Sequence, residues 1–132
     1  MTDPPPWCSR LDAALASLAP AGVRTGWRHI DPADLGQLHP EERRAICHAV
    51  PRRQAEFATG RVLLRELTGT TDPIGIGPDR APVLPPGIAA SLAHDHEVAV
   101  AAVARAQHVV LGIDVDGMTP LDSAVAELIL RP

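Results

Sequence analysis

The hydrophobic pattern changes period along the chain, and each change marks an element. Leu11, Ala14, Leu15 and Leu18 recur at helical spacing and predict a short helix from Ser9 to Leu18, stopped by Pro20 and Gly22. Gly22 to Ile30 predicts a strand. Pro40 followed by Glu41 and Glu42 predicts a helix start, because Pro suits the first turn and acids suit the positive end of the helix dipole. Pro51 restarts or kinks that helix. From Pro51 to Leu67 the segment PRRQAEFATGRVLLREL carries the strongest helical signal, with Phe57, Val62, Leu64 and Leu67 inside a frame of Arg and Glu and Gly69 as its stop. Gly69 to Gly87 predicts turns around at most one short strand, Ile74 to Ile76. Three runs of strand length follow: Ile88 to Ala93, Val98 to Ala104 and Val109 to Val115. The simplest topology for them is an antiparallel meander. Val98 to Ala104 is apolar at every position and predicts a strand covered on both faces. Leu121, Val125, Leu128 and Ile129 predict a closing helix over Pro120 to Leu130 with one buried stripe. The fold class expected is α+β, an antiparallel sheet packed with a long helix, preceded by a flexible Pro-rich segment over residues 1–8.

Composition narrows this picture. The chain has 132 residues, the size of one domain. Its apolar share is 45%, but with one Phe, two Trp and no Tyr the core has to be packed from small aliphatics. No apolar run approaches the roughly 18 residues of a membrane span, and Met1-Thr-Asp-Pro-Pro-Pro has neither the basic nor the apolar region of a signal peptide. A cytoplasmic protein without membrane association is expected. Cys8 and Cys47 are too few and too far apart for a disulfide framework or a metal knuckle and are expected as reduced thiols. The net charge of −4 argues against general nucleic-acid binding, which needs a basic surface to neutralise phosphates. Any polyanionic ligand must be held by a local cluster. All twelve basic residues are Arg and none is Lys.

Local clusters of that kind are present. Asp114 and Asp116 stand two apart at the end of a predicted strand, so both project from one face and can bind one hard cation; Gly112 and Gly117 beside them allow close approach. Magnesium commonly bridges one or two carboxylates to substrate phosphates. The alternative is a strand-end turn with two solvated acids. His94 closes the preceding strand in Ala90-Ser91-Leu92-Ala93-His94, and there it can donate to a pyrophosphate oxygen, move a proton, or be an ordinary turn residue. Asp95, His96 and Glu97 beside it lack the helical H-x-x-x-H spacing that a zinc site on one face needs. Arg53, Arg61 and Arg65 ride the long helix, Arg61 and Arg65 at i,i+4, and Arg80 lies in the Pro/Gly loop. Arginine grips phosphate through a planar fork, although a solvated basic face paired with Glu56 and Glu66 explains the helix equally well.

Three blocks taken in order resemble one family. Arg53-Gln54-Ala55-Glu56-Phe57-Ala58-Thr59-Gly60-Arg61, then Gly77-Pro78-Asp79-Arg80-Ala81-Pro82 leading into Ala90 to His94, then Gly112-Ile113-Asp114-Val115-Asp116, are similar to the surfactin- and enterobactin-type 4′-phosphopantetheinyl transferases. The match runs from about Arg52 to the end of the sequence and covers the first half of such a protein. The resemblance implies one half of a pseudo-twofold fold, coenzyme A as substrate, Mg2+ as cofactor, and an acyl or peptidyl carrier protein as acceptor. It implies that Arg53 and Arg61 grip the 3′-phosphate of coenzyme A, that Arg80 and His94 face its phosphates, and that Asp114 and Asp116 hold magnesium against the pyrophosphate. Carrier proteins of this kind are generally acidic, so docking on a chain of negative net charge would use its Arg surface locally.

The departures from the family pattern are as informative. Ala93 stands where the family usually has Ser, and Asp116 where it usually has Glu. The family's second half carries a W-x-x-K-E motif whose Glu completes the metal set, and this sequence has no Lys. The expectation is therefore an incomplete catalytic set, completed by a second half-domain or by a second copy of the chain. A small trimeric type in the superfamily places its metal aspartate near the N-terminus, the reverse of the order here. Two rival readings remain: a noncatalytic module binding coenzyme A or a carrier protein, and a metal-dependent nucleotidyl or glycosyl transferase built on Asp114 and Asp116.

Overall fold

A computed structural model of the chain describes residues 6–18, 22–78, 81–105, 110–116 and 125–131, the last two segments at the level of the backbone. Helix α1 spans Pro6–Leu18, strand β1 Val23–His29, helix α2 Pro40–Ile46 and helix α3 Pro51–Thr68. Strands β2 (Gly75–Ile76), β3 (Pro82–Val83), β4 (Ile88–His94), β5 (Val98–Arg105), β6 (Val110–Asp116) and β7 (Val125–Arg131) follow. No described helix is long and apolar enough to cross a membrane.

The central sheet has the order β1-β5-β4, antiparallel throughout, with Val23 opposite Ala104 on one side of β5 and His94 opposite Ala99 on the other. Strand β5 is buried from Val98 to Ala104. Because side chains alternate along a strand, it feeds two cores. Val98, Val100, Ala102 and Ala104 pack with Leu11 and Leu15 of α1, while Ala99, Ala101 and Val103 pack with Leu63 and Leu64 of α3 and with Ile74. The doubly covered strand expected from the pattern is thus covered by two helices of this same chain.

Four expectations from the pattern need correction. The meander does not extend past β5, because β1, not β6, takes its second edge, and β6 instead pairs antiparallel with β7. Of the closing helix expected over Pro120 to Leu130, the described part is not helical: Val125–Arg131 is strand β7, with Asp114 opposite Glu127 and Asp116 opposite Val125. A short apolar run fits both periods, and pairing with β6, a contact remote in sequence, selects the strand. The Pro/Gly loop holds a two-stranded hairpin of β2 and β3, where at most one strand was expected. Helix α1 starts at Pro6, ahead of Ser9, and takes in Cys8, whose side chain is buried.

Helix α3 ends as its sequence requires. Gly69 adopts a left-handed φ of 73° and returns its N–H to the Arg65 carbonyl at 2.9 Å, which few residues other than Gly do without strain. Two further carbonyls of the last turn accept from Arg24 of β1 (Leu67, 3.1 Å) and Arg105 of β5 (Thr68, 2.8 Å), tying the helix to the sheet. At the middle of the helix a buried carboxylate does the same. Asp34, in the 3-10 helix Pro32–Gln37, accepts from Arg28 of β1 at 2.8 and 3.0 Å and from the Thr59 hydroxyl of α3 at 2.8 Å. The Arg28 guanidinium holds the Asp34 carboxyl below its ordinary range against the opposing effect of burial.

Glu42 is the second such anchor. Only 2% exposed on α2, it accepts from Arg65 of α3 at 2.9 and 3.0 Å, from the Ile74 amide at 2.8 Å and from the His39 amide at 2.9 Å. Burial pushes its carboxyl up, but these four donors outweigh burial and hold it below the ordinary value. Both anchors are carboxyls lowered by folding, so their stabilisation is present above the unfolded values, about 3.9 for Asp and 4.3 for Glu, and is lost as pH falls through the folded ones. Thermal melts are expected to be level at neutral pH and to drop below about pH 4. Glu42→Gln is expected to cost about 2 kcal/mol at neutral pH, less than for a fully buried pair because Arg65 is partly wet, and to flatten the acid drop. An acid drop of unchanged depth in that variant would remove Glu42 as its source.

Candidate functional site

A cleft of about 810 Å³ opens between the end of α2, one side of α3 and the outer part of β4. Phe57 and Leu92 give it apolar walls; Arg53, Arg61, His48 and His94 bring nitrogen to it, and Glu56 is its one carboxylate among the described residues. The cleft exists because α3 lies very close to β4. A Cβ placed on Gly60 would fall 2.7 Å from Leu92 Cδ2, so only Gly allows this approach without displacing Leu92.

Arg61 follows Gly60 and is 4% exposed. Its guanidinium lies 4.3 Å from the centre of the Phe57 ring, Nε donates to the Ile74 carbonyl at 3.0 Å, and one terminal nitrogen donates to the Gly75 carbonyl at 3.1 Å. Burial lowers its pKa to about 10, with the nearby charges of Arg53 and Arg65 pressing the same way and Glu42 opposing. It is still cationic at neutral pH. An arginine held in place by carbonyls and a ring, close to the like charge of Arg53, is prepared for an anion that relieves the repulsion. The expected Arg61/Arg65 pair on one face divides its work: Arg65 goes to Glu42, and Arg61 goes to the cleft. The partners expected for a solvated basic face are only half present. Glu56 is 3.9 Å from the exposed Arg52, while Glu66 pairs with Arg28 of β1.

His94 closes β4 and lines the same cleft. Its Nδ1 is 3.4 Å from Glu56 Oε2 and 3.4 Å from the Asp95 carbonyl. Asp95 in turn accepts from the Glu97 and Val98 amides at 2.7 and 2.8 Å, an Asx turn that fixes the corner between β4 and β5. Arg53, Arg61 and His94, from one turn, one buried helix position and one strand end, are therefore brought together. Arg80 lies outside the described residues. Asp114 and Asp116 stand on β6, whose side chains lie outside the described part of the structure. A hard cation suits the oxygen donors of that segment, two aspartates two residues apart with Glu127 in register opposite the first. Among the described side chains no group of three His, Cys, Asp or Glu is placed to hold a metal.

Sequence reasoning missed Glu56 and His48 in this cleft, and Glu42 behind it. Glu56 reads as an i,i+4 partner of Arg52, and Glu42 as a first-turn acid, which are the local roles their spacing supports. Their remote partners leave no periodic trace.

Residues 41–104 match the 4′-phosphopantetheinyl transferase N-terminal domain, a stretch that contains α2, α3, β4 and β5 and with them Arg53, Arg61 and His94. The chain is 35% identical over 125 residues to the 4′-phosphopantetheinyl transferase Svp of Streptomyces mobaraensis, covering 89% of this chain and 51% of that protein. It is 31% identical over 123 residues to the 4′-phosphopantetheinyl transferase Npt of Nocardia iowensis, covering 89% of this chain and 55% of that one. The chain thus spans about half the length of these curated relatives.

Gly60→Ala is expected to push Leu92 into the cleft. Overpacking of about 1–3 kcal/mol is partly offset by the better helix propensity of Ala, leaving a net loss of about 1 kcal/mol in denaturant unfolding. Unchanged or raised stability would show that α3 and β4 are less tightly apposed than the Gly60 geometry demands.

Proposed function

With residues 41–104 carrying the N-terminal domain of the 4′-phosphopantetheinyl transferases, we propose that the cleft between α2, α3 and β4 holds coenzyme A. From there its 4′-phosphopantetheine arm passes to a serine of an acyl or peptidyl carrier protein. The observation that carries this reading is the convergence of Arg53, Arg61 and His94 on one concave surface in a chain whose net charge is negative. A net-acidic protein that gathers cations in one cleft is built for an anion there, and coenzyme A offers a 3′-phosphate and a pyrophosphate.

In this reading Arg53 and Arg61 take the 3′-phosphate, and His94 and Arg80 face the pyrophosphate. The carrier serine oxygen forms its bond to the β-phosphorus as the bond to the leaving phosphate breaks, giving adenosine 3′,5′-bisphosphate. Fixed cations stabilise the charge that gathers on the phosphate oxygens without having to reorganise during the reaction. Asp114 and Asp116 would hold a magnesium ion, which supplies electrophilic neutralisation of the pyrophosphate. The fold is one half of a pseudo-twofold arrangement. No residue of the sequence is Lys, so the Lys and Glu of a W-x-x-K-E motif come from a further segment, and transfer requires it. A second reading is a noncatalytic module that binds coenzyme A or the carrier protein.

Calorimetry tests the cleft assignment, and the mass of the carrier protein tests transfer. Coenzyme A is expected to bind the chain, and dephospho-coenzyme A, lacking the 3′-phosphate, to bind less tightly. Arg53→Ala should weaken coenzyme A by about ten-fold, as for one charge-assisted contact, and leave the dephospho form unaffected. Equal binding of both ligands would remove the 3′-phosphate assignment. A mass gain on an apo carrier protein incubated with coenzyme A, magnesium and this chain alone, abolished by Asp114→Ala, would show that no further segment is needed.

A further inference from the structure

A carboxylate is out of place in a cleft that gathers cations for a phosphate, yet Glu56 lines it between Arg53 and Phe57 on α3, with its side chain 14% exposed. Its solvent-side neighbour does not account for it. Arg52 is 3.9 Å away and 68% exposed, the setting in which an ion pair contributes little. The other neighbour is His94, whose Nδ1 lies 3.4 Å from Glu56 Oε2 and equally 3.4 Å from the Asp95 carbonyl. Both oxygens can only accept when the carboxylate is ionised. A lone pair on Nδ1 would face two lone-pair donors, whereas a proton there is attracted to both. The backbone that carries each oxygen is fixed. The Asp95 carbonyl belongs to the Asx turn fixed by the Glu97 and Val98 amides, and Glu56 rides a helix tied to the sheet in its last turn and, through Asp34, at Thr59.

We propose that Glu56 is the positioning residue of His94: with the Asp95 carbonyl it keeps the proton on Nδ1, so that Nε2 is the nitrogen offered to the ligand. The neutral ring then accepts at Nε2 and, once protonated, donates from Nε2 to an anionic oxygen, without turning over. The functional meaning of this arrangement rests on the coenzyme A reading; the tautomer itself is a property of the free protein.

The free and bound proteins test the two separately. Two-bond proton–nitrogen correlation spectra of the nitrogen-labelled chain at mildly alkaline pH, with His94 assigned through His94→Asn, are expected to show the Nδ1–H form. Glu56→Ala should shift the Nδ1–H to Nε2–H ratio by about two- to five-fold toward Nε2–H, as loss of one partly exposed ionic contact implies. Glu56→Gln, nearly the same shape and able to accept through its amide oxygen, should retain the wild-type form and guards against misfolding of the alanine variant. A wild-type ring in the Nε2–H form, or identical ratios in wild type and Glu56→Ala, would overturn the proposal. Binding gives a second readout with opposite signs. Removing a negative charge from a phosphate cleft should tighten coenzyme A if Glu56 acts only through its charge, whereas loss of positioning should weaken it several-fold. Tighter binding by Glu56→Ala overturns the proposal. If coenzyme A does not bind the wild-type chain, the transferase reading fails while the spectra still decide the role of Glu56.

Discussion

A run with no polar position has to be covered on both faces, and the rest of this structure follows from how Val98 to Ala104 of β5 is covered. Burying a Val or Leu side chain stabilises a fold by about 1.5–3 kcal/mol, so leaving one face of β5 open would forfeit several such contributions. Alternation divides the strand into two apolar rows, and each row receives a helix: α1 lies against one and α3 against the other. With β1 and β4 taking the two edges, β5 has no remaining surface. The small side chains matter here. Ala at positions 99, 101, 102 and 104 lets both helices come close, and the same economy of volume appears at Gly60, where α3 meets β4.

Helix α3 is thereby given four neighbours, and its sequence answers each with a different chemistry. Leu63 and Leu64 meet the sheet, Thr59 meets the buried Asp34, Arg65 meets Glu42, and Arg53, Glu56, Phe57 and Arg61 face the cleft. This explains why the helix is buried over most of its length while its sequence looks strongly polar. Its inner charges are held from other elements, Arg65 by Glu42 of α2 and Arg61 by carbonyls of the segment around Ile74, while Arg52, Arg53 and Glu66 stay exposed. A cation so held contributes a fixed field at low cost in reorganisation, the physical requirement for a phosphate site in a chain of negative net charge.

Glu42 links the scaffold to the site. It holds the Ile74 amide, while the carbonyls of Ile74 and Gly75 hold Arg61, so one buried carboxylate fixes the segment against which the Arg61 guanidinium is braced. Glu56 and Asp95 stand in the corresponding relation to His94. In both places a carboxylate and backbone carbonyls from other parts of the chain lie beside a nitrogen that lines the cleft.

Wherever an element is specified by contacts within a few residues, the sequence alone determined it. The helix stop at Gly69, the starts at Pro40 and Pro51, the strands around β4 and β5 and the turn at Asp95 all depend on local dihedrals and short hydrogen bonds. The motif blocks marked Arg53, Arg61 and His94 for the same reason, since residue type and spacing are local information. Partners were decided only by the tertiary structure. Val125–Arg131 became a strand through β6, β1 rather than β6 took the edge of β5, Glu42 found Arg65, and Glu56 reached His94 as well as Arg52 one turn away. Each of these choices compares a local option with a remote one. The remote one adds burial or a contact between charged groups, neither of which leaves a period in the chain.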